Sequence, residues 1–495
     1  MAPEQLRVEP PASHRPPVTA SLNRRRFLQS TAATAGLLSI PAWIPSSARG
    51  AEGSVPPSQR INVGLIGVGA MGRGHLRRLA GDPGFQLLAV CDPDRVRREA
   101  AQSTTEQMYA ANTTSGAYHG CRAYNDYREI LARPDIDAVV IASPDHWHSL
   151  QSIDAAKAGK DVYCEKPISV TIEEGRRVVE AVRRYGRIFQ TGTQYRSSPT
   201  IRQVCRFVRG GGLGTVKHVF TQLHTLAGWI GGARCQPYRD ILNPEVLGAS
   251  YVPVDFALPA EPVPEGLDWD LWVGPAPWRP YNRLYHENPS PGVVPWAFAE
   301  AFGVTSSTWF LSHAADVIQY ALGVETSGPV ELFHPRSGTF PTLTFRYATG
   351  TLLHFVNDWH QVPRLYPGIL PPDARLAGMF GGIFAGERGW VTALSTGGPI
   401  EAGPASLFDE MKLTSREVNI GANDHHANWL KCVRSREQTY CSEELGHRTS
   451  SLGILTNIAY WTGQSLRWDP ERETFLDCAA ANRLRSRTPR APWRI

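Results

Sequence analysis

Three glycines follow the apolar run 61–66 at the spacing G-x-G-x-x-G, at Gly67, Gly69 and Gly72. In a strand–turn–helix unit the first glycine permits a tight turn and the second lets the backbone approach a pyrophosphate. The third lets the helix pack on the strand. The start of the helix, predicted over 71–79 and opened by Met71, supplies unpaired N–H groups and the positive end of a dipole. The spacing therefore predicts a dinucleotide-binding turn, the alternative being a glycine-rich turn of another α/β protein.

Asp92 ends the second predicted strand, 85–90, and lies twenty residues after Gly72. A carboxylate at this place accepts hydrogen bonds from the adenosine ribose and repels a 2′-phosphate, which favours NAD over NADP. Arg95 lies close by in sequence and weakens that preference. We therefore predict NAD as the cofactor.

Strands and helices continue to alternate along the next hundred residues. Strands are predicted over 138–142, 161–164 and 187–191, with helices after His148 and over 171–185. This alternation predicts a parallel, doubly wound sheet, which binds its ligands at the carboxyl ends of the strands. Two motifs lie at those ends, Ser143-Pro144-Asp145-His146-Trp147-His148 and Cys164-Glu165-Lys166-Pro167.

Lys166 is the residue of these motifs whose chemistry is most useful beside a nicotinamide. Pro167 keeps the preceding residue extended, so the Lys166 ammonium can project from the sheet edge toward a bound cofactor. The alternative is a surface lysine that precedes a turn.

The composition limits the class of protein. The chain has 495 residues, of which 42% are hydrophobic and 20% charged, as in soluble globular proteins of two or three domains. Global disorder, collagen and coiled coil are excluded on these grounds. The formal charge of +5, from 51 basic and 46 acidic residues, is too small to imply a nucleic-acid partner.

The first 51 residues have the composition of a twin-arginine signal peptide, with Arg24-Arg25, then Phe27-Leu28, an apolar run over 31–40 and small residues around 46–51. A chance arginine pair is the alternative. The apolar run is about half of the roughly 20 residues that span a bilayer, and no later segment is long enough. We expect export through the twin-arginine machinery to the periplasm or beyond, with 52–59 as a linker.

Eight cysteines show neither C-x-x-C nor zinc-like spacing, so no metal site is expected. Twin-arginine export carries folded proteins, which favours buried thiols over disulfides. A bond between Cys432 and Cys441 is the alternative left open.

Further motifs follow in the order Gly192-Thr193-Gln194-Tyr195-Arg196, His313-Ala314-Ala315-Asp316, Tyr320-Ala321-Leu322-Gly323, His426, Trp429-Leu430, Trp468-Asp469-Pro470 and Ala481-Asn482. Together with the motifs above, their order and spacing resemble the Gfo/Idh/MocA family of sugar-type oxidoreductases, in particular its secreted members with twin-arginine signals. The resemblance covers about residues 60–495.

The resemblance implies a Rossmann domain over 60–190 and a C-terminal α/β domain over 191–495. The second domain is built on a large, mostly antiparallel open sheet whose face often forms homo-oligomers. Alternating strands at 216–223, 343–347 and 352–355 agree with this picture. The Trp-dense segment 267–275 is interpreted as core, with an aromatic sugar-binding face as the alternative.

The resemblance also implies the site residues. Lys166 and His313 match the family's catalytic lysine and histidine, but Trp309 stands where the family has an aspartate. Asp316 lies one turn from His313 and could support it, the alternative being a capping or packing role; His313 could equally be structural. Two sets complete the prediction: Tyr195, Arg196 and Asp316 for the substrate, and Ser143, Pro144, His146, His148, Glu165, Lys166 and Gln194 beside the glycine turn for the cofactor.

An exported enzyme has no nicotinamide pool outside the cytoplasm, so we expect NAD to stay bound and to be recycled in place while a carbohydrate reacts. One such chemistry passes hydride between two sugars. The other oxidises a ring carbon transiently, eliminates or inverts a substituent and returns the hydride. The alternatives are an ordinary dehydrogenase that meets free NAD and a non-catalytic carbohydrate-binding or scaffold protein, which Trp309 keeps open.

Overall fold

The computed structural model describes residues 59–110, 118, 120–223, 252–253, 255, 257–287, 295–394, 398–418 and 425–495. The predicted signal peptide, all but the last residue of the linker, Cys235 and the side chain of Trp309 lie outside this described part.

Six parallel strands form the first sheet, in the order β3-β2-β1-β4-β5-β6. The strands are β1 Ile61–Ile66, β2 Phe85–Cys91, β3 Arg122–Tyr124, β4 Ala138–Ile141, β5 Asp161–Cys164 and β6 Phe189–Thr191. The helices between them are α1 Ala70–Gly81, α2 Arg95–Met108, α3 Tyr127–Leu131, α4 Asp145–Lys157 and α5 Ile172–Arg184. The doubly wound parallel sheet predicted from the sequence is confirmed.

The apolar runs of this sheet are explained by burial on both faces. Val63 and Leu65 of β1 lie in one hydrophobic cluster and Ile66 in another, on opposite sides of the sheet. The short strand β3 and the helices α2 and α3 were not predicted, and α4 begins at Asp145, before the expected start after His148. Pro144 immediately precedes α4, and its fixed φ suits the entry to a helix.

Nine strands form the second sheet, in the order β13-β12-β11-β7-β10-β9-β8-β14-β15. The pairing of β7 with β10 is parallel and the other pairings are antiparallel. The strands are β7 Val216–Gln222, β8 Pro329–Phe333, β9 Thr344–Tyr347, β10 Leu352–Val356, β11 Gly381–Gly386, β12 Gly389–Leu394, β13 Ala402–Gly403, β14 Leu466–Asp469 and β15 Thr474–Phe475. The mostly antiparallel second sheet is therefore confirmed as well.

The C-terminal part of the chain also contains helices. They are α6 Pro199–Arg209, α7 Trp269–Val273, α8 Arg283–His286, α9 Thr305–Leu322, α10 Gln361–Leu365, α11 Ser406–Met411, α12 His425–Ser435, α13 Glu443–Thr462 and α14 Ala479–Arg483. Apolar residues of α6, α9 and α13 pack with one face of the sheet in the largest hydrophobic cluster. On the opposite face, Trp359, Val362, Tyr366 and Leu370 pack over β7, β11 and β12, so the chain itself covers that part of the face.

The C-terminal residues return to the first sheet. Trp429 of α12 is fully buried in the cluster of β1 and β2, where its ring stacks on Phe85 with centroids 5.6 Å apart. Helix α13 packs against α5, one of the helices that flank the first sheet. The two sheets therefore share elements that are far apart in sequence.

The seven described cysteines are free thiols, and six of them are buried. The alternative of a Cys432–Cys441 bond is wrong for this structure: Cys432 Sγ lies 3.4 Å from the Gln438 carbonyl oxygen, and Cys441 Sγ lies 3.0 Å from Thr193 Oγ1. Within the described ranges, no helix is both long and apolar enough to cross a membrane, and no group of three potential metal ligands converges.

Candidate functional site

The turn between β1 and α1 has the geometry that its glycines predict. Gly67 has a φ of +85°, and a Cβ added there would lie 2.6 Å from the Ser143 nitrogen. A Cβ at Gly72 would lie 2.0 Å from the Gly67 carbonyl oxygen, whereas nothing lies within 4 Å of one at Gly69. Gly67 and Gly72 are thus required by the fold, and Gly69 leaves open space for a ligand at the start of α1.

A cavity of about 330 Å³ lies at the carboxyl ends of the first sheet's strands. Nine of the predicted site residues line it: Gly67, Gly69, Met71, Asp92, Ser143, Pro144, His148, Glu165 and Lys166. The glycine turn, the acidic strand end and both motifs of the neighbouring strands therefore meet around one space.

Asp92 is buried at the end of the cavity beyond β2. Its Oδ2 accepts a hydrogen bond from the Val68 amide and its Oδ1 accepts one from the Asp94 amide, both at 3.0 Å. Burial raises the pKa of Asp92 above its usual value, against the attraction of Arg97. The two amides fix the carboxylate beside the turn, where a ribose would lie.

The basic residue facing this end of the cavity is Arg97 and not Arg95. Arg95 pairs with the exposed Glu265 at 3.1 Å. Arg97 lines the cavity and lies 3.3 Å from Asp94, and it donates a hydrogen bond to the His286 carbonyl oxygen. Its charge is therefore already partnered.

Lys166 lies just past β5 and is 4% exposed. Burial lowers the pKa of its ammonium to about 8, against the opposing charges of Glu165 and Asp145. A lysine in this condition exchanges its proton near neutral pH, which a surface lysine does not. The amine can therefore accept a proton from a molecule in the cavity.

The neighbouring Glu165 is held by side chains from two other parts of the chain. Nε2 of His75, on α1, donates to its Oε1 at 2.9 Å, and Nε2 of Gln194 donates to the same oxygen at 2.8 Å. His75 in turn lies 3.0 Å from His426 of α12. Burial raises the pKa of Glu165, but the His75 hydrogen bond and the His75 and Lys166 charges outweigh it and leave the pKa below its usual value.

The two motif histidines contact backbone carbonyls. The ring nitrogens of His148 lie 2.7 Å from the carbonyl oxygens of Ser143 and of Pro167, so this side chain joins the two motifs that line the cavity. Those of His146 lie 3.1 Å from the carbonyl oxygens of Phe302 and Trp272. His146 therefore connects α4 to the C-terminal domain. It contacts Trp272, which lines the cavity, but it is not itself among the lining residues.

His313 lies on α9 beside Tyr195, with the two ring centroids 4.4 Å apart and their planes nearly perpendicular. Its Nδ1 has no hydrogen-bond partner among the described residues. Burial lowers the pKa of His313 well below its usual value, and the positive charge of Lys166 lowers it further. The imidazole is therefore neutral.

Arg196 and Asp316 are engaged with each other. The guanidinium donates to the Asp316 carboxylate through Nε at 2.8 Å and Nη2 at 2.6 Å, and it also contacts Glu325. Both partners are buried, and the guanidinium lies 4.7 Å from the Tyr320 ring centroid. The structure thus pairs Asp316 with Arg196 instead of with His313; a substrate contact by either residue stays a prediction.

The residues of the cavity wall that were not predicted as site residues include Arg97, Asn125, Asp145, Trp272, His286 and Trp296. Asn125 follows the three-residue strand β3, too short to recognise from its sequence. Trp272 belongs to the segment interpreted as core; it is indeed buried in a cluster with Trp269 and Phe302, and it also faces the cavity. Asp145 belongs to the recognised motif at 143–148. A carboxylate at a strand end next to the one that carries Lys166 was the signal that could have identified it.

The residues of this cavity fit a dinucleotide. The open space at Gly69 would accommodate the pyrophosphate against the N-terminus of α1, and the fixed carboxylate of Asp92 would hold a ribose. Lys166, which lines the same cavity, would then lie on the nicotinamide side.

Comparison with known proteins agrees with this geometry. Residues 61–193 match the model of an oxidoreductase family described as an NAD-binding Rossmann fold. Residues 252–354 and 414–495 match the same family's C-terminal alpha/beta domain.

Two curated relatives illustrate the range of that family. A levoglucosan dehydrogenase of Pseudarthrobacter phenanthrenivorans is 34% identical over 158 residues, which are 32% of this chain and 39% of that protein. An alpha-N-acetylgalactosaminidase of Shewanella oneidensis is 32% identical over 183 residues, which are 33% of this chain and 38% of that protein. The chain thus spans about two fifths of the length of these relatives.

Among solved structures, the WlbA dehydrogenase from Bordetella pertussis, determined with NADH and UDP-GlcNAcA, has the same fold. The TM-score is 0.50 at 16% identity, covering 83% of this chain and 98% of that one. With both domains matched by family models and the glycine turn, Asp92 and Lys166 around one cavity, the chain belongs to the Gfo/Idh/MocA family of oxidoreductases.

Proposed function

We propose that this protein is an NAD-dependent oxidoreductase that acts on a secondary alcohol of a sugar, polyol or glycoside. The observation that carries the proposal is the buried Lys166, whose amine lines the same cavity as the glycine turn. The substrate class is supported by the levoglucosan dehydrogenase among the relatives.

Oxidation of an alcohol requires a base for the hydroxyl proton, and the cofactor, when bound, accepts the hydride. Lys166 is the base, because its pKa of about 8 lets the neutral amine form near neutral pH. The ionised Glu165, fixed by His75 and Gln194, compensates the positive charge that the amine acquires. The neutral His313 is suited to hydrogen-bond the same hydroxyl.

The preference for NAD over NADP is part of the proposal. Asp92 places a carboxylate where a 2′-phosphate would lie, and Arg97 is already partnered by Asp94. The substitution Asp92→Asn removes this charge and is expected to lower the ratio of NAD affinity to NADP affinity. Calorimetric titration with each nucleotide measures that ratio.

We also propose that the cofactor stays bound and is recycled in place, in an exported protein. The proposal is supported by Trp272, His286 and Trp296, which come from the C-terminal domain and line the cavity in which the dinucleotide would lie. The alpha-N-acetylgalactosaminidase among the relatives favours a redox-neutral reaction on a glycoside as the second candidate. Export rests on Arg24-Arg25 and the apolar run behind it; homo-oligomer formation rests on the family resemblance.

The first experiment is mass spectrometry of the nucleotide released when the purified protein is denatured. One NAD or NADH per chain after gel filtration supports the retained cofactor, and a screen of sugars and glycosides for turnover without added NAD follows. Loss of nucleotide from an intact fold, with turnover on free NAD, would instead identify an ordinary dehydrogenase. Gel filtration with light scattering measures the oligomeric state, and Arg24→Lys with Arg25→Lys tests export.

A non-catalytic carbohydrate-binding protein is distinguished by Lys166→Met. We expect this variant to keep the fold and the nucleotide but to lose turnover by at least about 10²-fold, the usual contribution of a general base. Lys157→Met, on the exposed part of α4, is the matched control. Equal behaviour of both variants with a sugar ligand would support the binding protein.

A further inference from the structure

Asp145 is a buried carboxylate in the cavity wall. It is the first residue of α4, directly after Pro144, and is 1% exposed. Neither of its oxygens has a hydrogen-bond partner of normal geometry among the described residues. Because burying a charge without partners is costly, this side chain is placed to meet a charge or a ligand inside the cavity.

Lys166 lines the same cavity as Asp145, and the two side chains attract each other electrostatically. Burial raises the pKa of Asp145 to about 7, while the attraction of Lys166, the Val304 amide and the charge of Arg487 oppose the rise. Arg487 is itself occupied, since it pairs with Glu174 at 3.4 Å.

The other titratable groups that face Lys166 are Glu165, His148 and His313. Glu165 is held ionised by its hydrogen bonds, and His148 and His313 are buried histidines whose pKa is lowered chiefly by burial. Asp145 is therefore the neighbour whose charge changes in the same pH range as that of Lys166.

We propose that Asp145 is a second counter-charge of Lys166, beside Glu165, and a positioning residue that stabilises the ammonium form after the amine has taken the hydroxyl proton of an alcohol substrate. In this step the O–H bond of the substrate breaks and an N–H bond forms on Lys166. The two electrons of the neighbouring C–H bond leave with the hydride for the NAD of the proposed function, on which this inference rests. The carboxylate of Asp145 then faces an ammonium, so the proton is held inside the cavity without an uncompensated charge.

The test measures the titration of Lys166 directly. The chain contains six lysines, so the protein labelled with ¹³C at lysine Cε gives few signals, and Lys166→Arg assigns the relevant one. In the unaltered protein this signal should titrate near pH 8. In Asp145→Asn, which keeps the shape and removes the charge, the midpoint should fall by about 1 pH unit or more, the usual effect of an opposite charge.

Asp154→Asn is the matched control, because Asp154 lies on the same helix, nine residues further on and partly exposed. It should leave the midpoint unchanged. The ascending limb of kcat/KM against pH should move to lower pH in Asp145→Asn alone. An unchanged Lys166 midpoint in Asp145→Asn would overturn the inference.

Should Asp145→Asn not fold, infrared spectroscopy of the carboxyl C=O band gives a second test. In Lys166→Met the midpoint of the buried carboxyl band should rise relative to the unaltered protein, because its cation is gone; an identical midpoint refutes the pairing. Neither spectroscopic readout needs turnover. If the Lys166 midpoint shifts in Asp145→Asn but the protein binds no nucleotide, the proposed function is wrong and this inference stands. If the midpoint does not shift in an active enzyme, this inference is wrong and the proposed function stands.

Discussion

Nε2 of His75 donates a hydrogen bond to Oε1 of Glu165 over 2.9 Å, and both side chains are buried. This bond joins the helix that follows the glycine turn to the residue that precedes Lys166. The two halves of the nucleotide site are thus fixed to one another by a charged hydrogen bond and not only by packing.

Truncation of that donor should destabilise the protein. In His75→Ala the ionised Glu165 loses this donor and keeps the hydrogen bond from Gln194, so we expect a loss of about 1–3 kcal/mol in the free energy of unfolding. Urea denaturation at neutral pH measures it, and His360→Ala, at an exposed histidine, is the control. His75→Gln, which retains an N–H donor, should recover part of the loss; equal stability of all three variants would show that the bond has no net effect.

Gly69 and Gly72 should separate nucleotide binding from folding. A methyl group at Gly69 enters open space in the cavity, so Gly69→Ala is expected to weaken NAD binding while stability changes little. At Gly72 it meets the Gly67 carbonyl oxygen, so Gly72→Ala should cost about 1–3 kcal/mol of stability through overpacking. Urea denaturation and calorimetric titration with NAD distinguish the two; the reverse pattern would contradict the assigned roles.

Asp316 should prove important for stability. Asp316→Ala leaves the buried guanidinium of Arg196 with Glu325 as its remaining carboxylate, and removal of one partner of a buried pair costs about 3 kcal/mol. The double variant Arg196→Met with Asp316→Leu removes both charges and should be more stable than Asp316→Ala alone. If Asp316→Ala instead raises KM for the substrate at unchanged stability, the predicted substrate contact is correct and the structural role is secondary.

The ion cluster between α5 and the C-terminal helices predicts acid sensitivity. Burial raises the pKa of Glu444, but hydrogen bonds from Arg176 and Arg448 outweigh it and lower the pKa to about 2. Since the folded-state pKa is below the ordinary glutamate value of 4.5, the stabilisation is present above that pH and is lost as the pH falls toward about 2.

In Arg176→Met the Glu444 carboxylate loses the guanidinium that donates to both of its oxygens, so acid unfolding followed by circular dichroism should begin at a higher pH. Arg128→Met, which breaks the exposed pair with Asp126, should leave the acid transition where it is. If both variants unfold at the same acidic pH, Arg176 does not determine the acid sensitivity.

The parts of the site that were predictable are those encoded within a few residues. The glycine turn, Asp92 and the Glu165-Lys166-Pro167 triplet each sit at a strand end, and backbone geometry alone brings strand ends of a parallel sheet to one edge. The family resemblance added His313, which the structure places against Tyr195.

The rest depends on contacts between distant residues. His426 reaches His75 across 351 positions of the chain, and Trp272 enters the cavity wall from the other domain, so neither could be located by spacing. Asp316 illustrates the limit of helical reasoning: it does lie one turn from His313, but the buried Arg196 offers its carboxylate a stronger, charged partner.

The burial of Trp429 against Phe85 has a consequence for biosynthesis. The hydrophobic cluster beside β1 and β2 is completed by a side chain that the ribosome adds more than two hundred residues after the last strand of that sheet. During synthesis, we therefore expect the first sheet to lack the contact between Phe85 and Trp429 until α12 has left the ribosome. Chaperones that shield apolar surface during translation are expected to hold this intermediate, and grafting the first sheet alone onto a foreign domain would remove that contact permanently.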